Sequence, residues 1–251
     1  ERLRFGDQLP DGGRAGRQHR GVEGRSCDAR SEVHPPAVPD VPVTLSLRDA
    51  GVVGLAGDRF AMLGVARFLV AQIAGLHSPR DVRLVVISAD PTGADWHWTR
   101  WLPHLRPVSE DCHRLVGLGT AQASARIGEL RTLVELRSSQ ARADRLPAVA
   151  RHVPAVVLIC DGPRQLRSAP GLVEILRRGP SCAVYTICVA STAAELPAET
   201  GATVILSADH PPRVRVAERS SRSAQPVIAE LVPPSWAERF ARAIAPLRDL
   251  T

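Results

Sequence analysis

The sequence predicts a three-layer α/β domain built on a mainly parallel sheet. Short runs of aliphatic residues, such as 154–160 and 183–189, alternate along the chain with segments of helical periodicity. Runs without polar interruption indicate strands that are buried on both faces, which is typical of parallel sheets covered by helices on each side. With 251 residues, 44% of them hydrophobic, the chain is long enough to bury a core of this kind.

The predicted elements of the first half begin at residue 43. Alternating apolar and polar residues predict a half-buried strand over 43–47, and the apolar run 51–56 leads into Gly57 and Asp58. Asp58 is a suitable N-cap, because its side-chain oxygen can accept a hydrogen bond from a free amide of the first helical turn. The predicted helix therefore runs from Asp58 to about residue 77, and a β-branched strand follows over 82–89.

The second half repeats this alternation. The pattern predicts a short strand over 114–117, a helix over 121–142, a strand over 154–160 that ends at Asp161, a helix over 172–178, strands over 183–189, 203–206, 213–216 and 227–231, and a last helix over 234–246. Residues 1–40 are rich in arginine and glycine and have little apolar periodicity. They are predicted to be a disordered linker in front of a domain at 41–251.

The absence of lysine excludes several kinds of chemistry. All 32 basic residues are arginine, so the chain has no phosphate-loop lysine, Schiff-base lysine or lysine general base. The five cysteines form no C-x-x-C pair, which predicts reduced thiols and no metal site. The longest apolar runs are far shorter than the ~18 residues of a spanning helix, so no membrane span is predicted.

The net charge of +6 comes from the middle of the chain. Residues 100–178 hold thirteen arginines against seven acidic residues, whereas the regions on either side are balanced. Such a region can consist of solvated helix faces, or it can contact nucleic acid, an acidic protein or anionic lipid headgroups. The arginines are interleaved with acidic residues and form no single stripe, so solvated helix faces are the leading interpretation.

A strand, a glycine-bearing turn and a helix follow one another over 51–63 (GVVGLAGDRFAML), which is the layout of a phosphate cradle. The candidate nucleotide-binding residues are Gly54, Gly57 and Asp58 in this turn, together with Asp161. Asp161 closes its strand where a P-loop ATPase keeps the aspartate that orients magnesium. The hydrolytic motif G-x-x-x-x-G-K-[ST] is missing, and a Gly-Pro pair follows Asp161 where an acidic residue would polarise water. The sequence therefore predicts no catalytic residue, and the segment is either a degenerate phosphate site or a tight strand-to-helix turn.

Three of the four tryptophans crowd into the segment ADWHWTRWLPH at 94–104. Trp98 and Trp101 fall near one helical face with two leucines, so the leading interpretation is that they pack against the sheet. The alternative is an interaction surface made of Trp96, Trp98, Trp101 and Arg100, because tryptophan and arginine dominate the energetics of protein interfaces. Base stacking is a weaker third interpretation, since no Phe or Tyr is interleaved here.

Five stretches together resemble one known family. They are HSPRDVRL at 77–84, ADWHWTRWLPH at 94–104, the strand that ends at Asp161, LPAETGAT at 196–203 and AIAPLR at 243–248. They are similar to the region just before the first ATPase domain of actinobacterial FtsK/SpoIIIE-type proteins, which include EccC, the motor ATPase of type VII secretion, and relatives with a forkhead-associated domain. The tryptophan-rich string is the most specific of the five, and the similarity covers about residues 41–251.

This resemblance implies a degenerate RecA-like, P-loop NTPase-like domain. The positions that correspond to the phosphate-loop lysine and hydroxyl fall at about Met62 and Leu63, which cannot hold phosphate or magnesium. The implied role is a non-catalytic coupling or scaffold module on the cytoplasmic face of the cell membrane, with no cofactor of its own.

The partners implied by the resemblance belong to the parent motor. They are the adjoining ATPase domains of the same chain, which would carry ATP and Mg, within an oligomeric membrane-associated translocase that moves a secreted protein or DNA. The alternative function is an ATP-binding or DNA-contacting domain of an FtsK-type DNA translocase.

Overall fold

A computed structural model describes residues 2–7, 42–107, 114–144, 153–207, 213–218, 221–222 and 227–247. Its strands are β1 (Arg2–Asp7), β2 (Pro42–Ser46), β3 (Val52–Gly57), β4 (Val82–Ser88), β5 (Val116–Leu118), β6 (Ala155–Asp161), β7 (Val184–Ala190), β8 (Ala202–Leu206), β9 (Arg213–Glu218), β10 (Ser221–Arg222) and β11 (Val227–Ile228). The helices are α1 (Leu47–Ala50), α2 (Arg59–Leu76), α3 (Gly119–Asp144), α4 (Pro163–Leu166), α5 (Leu172–Arg178) and α6 (Pro234–Ile244). Short 3₁₀ segments occur at Ala94–Trp101, Pro103–Leu105, Pro180–Cys182 and Ala193–Glu195.

The main sheet has the strand order β10-β9-β8-β3-β7-β6-β4-β5, and β11 also pairs with β9. All neighbours from β8 to β5 are parallel, whereas β9 runs antiparallel to β8. The predicted mainly parallel sheet is therefore confirmed. One strand, β7, lies between β3 and β6, so the carboxyl ends of β3 and β6 lie close together at one edge.

Helices cover both faces of this sheet, which completes the three predicted layers. On one face α2, α6 and the tryptophan-rich 3₁₀ segment form a single apolar cluster with the sheet, in which Met62 and Leu69 of α2 are fully buried. On the other face α3 and α5 form a second cluster, in which Ile127 and Val134 of α3 are fully buried. The apolar periodicity of α2 and α3 arises because each helix lays one side on strands that are themselves apolar on both faces.

Helix α2 is the most apolar helix of the described residues. Its 18 residues are long and apolar enough to cross a membrane by length and composition, but 67% of this stretch is buried inside the domain. The helix packs so closely on the chain before α6 that a Cβ on Gly64 would lie 3.0 Å from a methyl carbon of Leu231. The burial of α2 is typical of a core helix of a folded domain.

The predicted linker needs one correction. Arg2–Asp7 forms β1, which pairs antiparallel with β2 and brings Leu3 opposite Leu45. Arginine alternates with Leu3 and Phe5 in this segment, which is the pattern of a strand. The composition of residues 1–40 as a whole, rich in glycine and arginine, is typical of a linker and conceals this short pattern. The rest of the predicted linker, residues 8–40, lies outside the described residues.

Candidate functional site

The candidate nucleotide-binding residues lie at the edge of the sheet where β3, β4 and β6 end. β3 passes into α2 through one connecting residue, Asp58, which follows Gly57 at the end of the strand. Oδ1 of Asp58 accepts a hydrogen bond from the amide of Ala61 at 2.9 Å, so Asp58 is the N-cap that the sequence predicted. A carboxylate therefore already occupies the helix N-terminus, where the oxygens of a bound phosphate would accept hydrogen bonds from the same amides.

Gly54 and Gly57 allow neighbouring parts of the chain to approach β3. A Cβ on Gly54 would lie 2.6 Å from Cδ1 of Leu196. Gly57 has a φ of +134°, and a Cβ there would lie 2.1 Å from the carbonyl oxygen of Leu206. Gly57 is therefore required by its backbone conformation and by the chain beside it, whereas a side chain on Gly54 would have to displace that of Leu196. The single-residue connection leaves no loop that could wrap around a phosphate, so the geometry is that of a tight strand-to-helix turn.

Asp161 is buried at the end of β6, and three side chains donate to its carboxylate. Arg59, in the first turn of α2, donates from Nη1 to Oδ1 at 2.7 Å and from Nη2 to Oδ2 at 2.9 Å. Trp96 donates its indole N–H to Oδ2 at 2.8 Å, and the hydroxyl of Ser88 lies 3.5 Å from the same oxygen. Both carboxylate oxygens are thus bound by donors of the protein itself.

Arg59 also binds a second carboxylate. Its Nη2 donates to Oδ2 of Asp95 at 2.7 Å. The pKa of Arg59 is raised, mainly by the hydrogen bonds to Asp161, although partial burial acts in the opposite direction. Because the Arg59 side chain is 42% exposed while Asp161 is buried, the guanidinium lies between Asp161 and the solvent and closes the site.

The sequence prediction included Asp58 and Asp161 but missed Arg59, the residue that joins the two elements. The sequence does indicate that Arg59 has an anionic partner. A cation in the first turn of a helix is unfavourable, because it lies next to the positive end of the helix dipole. An arginine at that position therefore indicates a nearby anion. Asp95 and Trp96 were also missed as parts of this site, since they reach it from a separate segment after β4.

The helix offers no other group for phosphate or magnesium. Met62 and Leu63, which the family resemblance places at the lysine and hydroxyl positions, are buried in the core. The next arginine of α2, Arg67, is buried and donates to the carbonyl of Val232 at 3.1 Å, and burial lowers its pKa. Among the described residues, no three His, Cys, Asp or Glu side chains form a group that could hold a metal ion.

The charges at this edge also disfavour an anion. Asp58, Asp95 and Asp161 bring carboxylates to this edge, and Arg59 is hydrogen-bonded to two of them. The negative charge of a triphosphate would be repelled by these carboxylates, and the guanidinium of Arg59 is already bound by them.

The structure separates the four residues of the predicted tryptophan surface. Trp96 and Trp98 are 2% and 5% exposed in the core cluster, so they cannot form a surface. The packing interpretation predicted this for Trp98 but did not include Trp96. Trp101 is only partly buried, and the guanidinium carbons of Arg100 and Arg242 lie 5.2 and 4.7 Å from its ring centroid. The two tryptophans and the two leucines do not share one continuous helix, because the 3₁₀ segment ends at Trp101 and Leu105 lies in a second short 3₁₀ turn.

Comparison with known proteins identifies relatives of similar sequence. The chain matches no known protein-family model. An ESX secretion system protein EccC of Thermomonospora curvata is 30% identical over 226 residues, which is 84% of this chain and 15% of that protein. The ESX-4 secretion system protein EccC4 of Mycobacterium tuberculosis is 33% identical over 67 residues, which is 27% of this chain and 5% of that protein. This chain is a relative of the EccC secretion proteins.

Solved structures of EccC and EssC share its fold. ATPases 2 and 3 of Thermomonospora curvata EccC, in complex with a signal sequence peptide, superpose with a TM-score of 0.65 at 15% identity, over 97% of this chain and 47% of that chain. ATPases 2 and 3 of EssC from Geobacillus thermodenitrificans superpose with a TM-score of 0.61 at 10% identity, over 82% of this chain and 45% of that chain. The resemblance to the EccC-like ATPases and the P-loop NTPase-like fold are thereby confirmed. This chain spans about half the length of these solved chains and 15% of the length of the Thermomonospora curvata EccC protein.

Proposed function

We propose that this domain is a non-catalytic coupling module of an EccC-like secretion ATPase. The observation that carries the proposal is the ion pair between Arg59 and Asp161. Phosphoryl transfer needs a metal ion oriented by the strand-end aspartate and a cation against the β and γ phosphates. In this domain the guanidinium of Arg59 is bound to the aspartate, and the sequence has no lysine that could contact the phosphates.

The proposed partners are the adjoining ATPase domains of the same parent protein. The solved EccC and EssC chains that share this fold contain ATPase domains next to one another, which supports such a neighbour. ATP and Mg would bind in those neighbours, and this domain would transmit movement between them and a membrane anchor on the cytoplasmic face. One solved relative is described as the cytoplasmic domain of a type VII secretion ATPase, which supports this location.

The proposed substrate of the parent motor is a secreted protein. The Thermomonospora curvata EccC structure contains a signal sequence peptide, and this supports protein over DNA as the cargo. The basic middle region supports DNA only weakly, because most of its arginines in the described part of the chain are paired with acidic residues. Arg126 pairs with Glu129, Arg131 with Glu135 and Arg178 with Glu174 along their own helices.

Arg137, another arginine of the middle region, is buried and is also bound to groups within the domain. It donates to the carbonyls of Cys182 and Pro154, both at 2.8 Å, and burial lowers its pKa. Its guanidinium thus fixes the start of two strands, β6 and β7, and is not available to a phosphate backbone.

The experiment that tests this proposal measures nucleotide binding and hydrolysis by the 251-residue chain. We expect no heat of ATP binding in calorimetry with Mg and no phosphate release above the buffer background. Mg-dependent phosphate release that is lost in the Asp161→Asn variant would overturn the proposal. In the parent protein, the pair of substitutions Arg59→Gln and Asp161→Asn should leave ATP turnover within about twofold of wild type, because the reaction takes place in other domains.

A further inference from the structure

Helix α6 and the end of the tryptophan-rich 3₁₀ segment present a surface that the closed site does not use. We define this α6 face by Trp101 and Arg100 of the 3₁₀ segment and by Trp236, Arg239 and Arg242 of α6. The helix lies against the 3₁₀ segment, so residues more than 130 positions apart in sequence form one surface.

The aromatic part of this face is large and held in place. Trp236 is 41% exposed, and its ring stacks on that of Phe240 with centroids 5.2 Å apart and an angle of 6° between the planes. Phe240 in turn lies against α2, where its ring is 3.4 Å from the position of a Cβ on Gly75. An exposed indole held by such a stack loses little conformational freedom when a partner covers it.

The charged part of the face is cationic. Arg100 and Arg242 are 55% and 56% exposed, and both guanidiniums lie near the ring of Trp101. Glu238 is the acidic residue among them, and its Oε1 already accepts two hydrogen bonds from Arg242, at 3.2 and 2.7 Å. Arg239 is exposed one helical turn from Trp236 and makes no ion pair within the described part of the chain. Three arginines against one glutamate leave an excess of two positive charges.

We propose that the α6 face docks an acidic polypeptide surface. Carboxylates of the partner would bind Arg239 and the outer edges of Arg100 and Arg242, and an apolar side chain of the partner would cover Trp236. Exposed tryptophan and arginine side chains that lie together, with the arginines partly fixed by a ring, are the composition of interface hot spots. Nucleic acid fits this face less well, because three arginines are few for a series of phosphate contacts and Glu238 lies among them.

The test uses the full 251-residue chain and three fluorescent probes. Two are peptides of equal length with leucine at every fourth position, one carrying glutamate and the other lysine at the remaining positions, and the third is a DNA duplex. Fluorescence anisotropy at near-physiological salt should show saturable binding of the glutamate peptide alone. We expect the double variant Arg239→Glu/Arg242→Glu to weaken it at least about tenfold, and Trp236→Ala to weaken it by about the same factor.

A matched control keeps this test independent of folding. Arg142→Glu/Arg164→Glu makes the same charge change at two exposed positions on helices α3 and α4, in the opposite layer. Its affinity for the glutamate peptide should stay within about twofold of wild type, and circular dichroism should show all variants folded. Absence of binding, equal loss in the control variant, or DNA binding that the α6-face variants abolish would each overturn the proposal.

Discussion

Arg59 and Asp161 are 102 positions apart in the sequence, and two hydrogen bonds of 2.7 and 2.9 Å join them across the strand that separates β3 from β6. In a phosphate-binding domain of this topology, the start of the helix and the end of the strand would face a ligand from two sides. Here they bind each other. The hydrogen bonds to Asp161 raise the pKa of Arg59 further above its ordinary value, so this guanidinium is charged at neutral pH.

The first prediction concerns the energetic value of this ion pair. Arg59→Gln leaves the buried carboxylate of Asp161 without its cation, so the free energy of unfolding should fall by about 1–3 kcal/mol, less than for a fully buried pair because Arg59 is partly exposed. Urea unfolding measures the change. Asp95→Asn is the matched control, since Asp95 is 37% exposed, and it should cost under ~1 kcal/mol. Equal losses in the two variants would contradict the assignment of Asp161 as the main partner.

The second prediction separates the two buried indoles. Trp96 donates its N–H to Asp161, whereas the N–H of Trp98 has no hydrogen-bond partner among the described residues. Replacing either ring by Phe removes a similar volume, but only Trp96→Phe removes a hydrogen bond to a charged group. Trp96→Phe should therefore cost about 1.5–3 kcal/mol more than Trp98→Phe in the same unfolding assay. The prediction fails if Trp98→Phe is the more destabilising of the two.

Local pattern predicted the layers of this domain but not the bonds that close its site. The run 154–160 was recognisable as a strand, observed as Ala155–Asp161, because burial on both faces leaves an uninterrupted apolar sequence. The partner of Asp161 could not be predicted in this way, because a guanidinium and an indole reach it from other segments, and periodicity does not encode contacts between distant elements. Trp96 illustrates the difference, since the pattern placed Trp98 and Trp101 on the packed face and gave no indication of the bond from Trp96 to a carboxylate.

The third prediction concerns acid sensitivity at Glu199. Its side chain is 7% exposed, and Oε1 and Oε2 lie 3.2 and 3.4 Å from Arg177 and Arg167. Burial alone would raise the pKa of Glu199, but its backbone hydrogen bond and the two guanidiniums outweigh burial, so the pKa lies below the ordinary 4.5. A carboxylate with a lowered pKa stabilises the fold above its unfolded-state pKa, and this stabilisation is lost as the pH falls through the folded-state value.

The measurement is the free energy of unfolding between neutral pH and pH 3. Wild type should lose stability more steeply below about pH 4.5 than Glu199→Gln, which has no carboxylate to protonate at this position. Glu174→Gln, at the more exposed pair with Arg178 on α5, is the control for exchanging a paired carboxylate for an amide. A slope of Glu199→Gln that matches wild type would show that Glu199 does not contribute.

The last prediction tests the turn that replaces a phosphate loop. Gly57→Ala places a Cβ 2.1 Å from the carbonyl oxygen of Leu206, in a backbone conformation with φ of +134° that an L side chain rarely adopts. Because β3 pairs with β8 at this position, the strand cannot move away without losing its ladder. The variant should lose more than ~3 kcal/mol of stability or fail to accumulate in folded form.

Gly128→Ala is the matched control in α3, where a Cβ would meet no atom within 4 Å, and the same change should stabilise the domain by about 0.5–1 kcal/mol. Thermal unfolding of both variants decides the matter, and a Gly57→Ala variant as stable as wild type would mean that the connection between β3 and α2 has room to open into a loop.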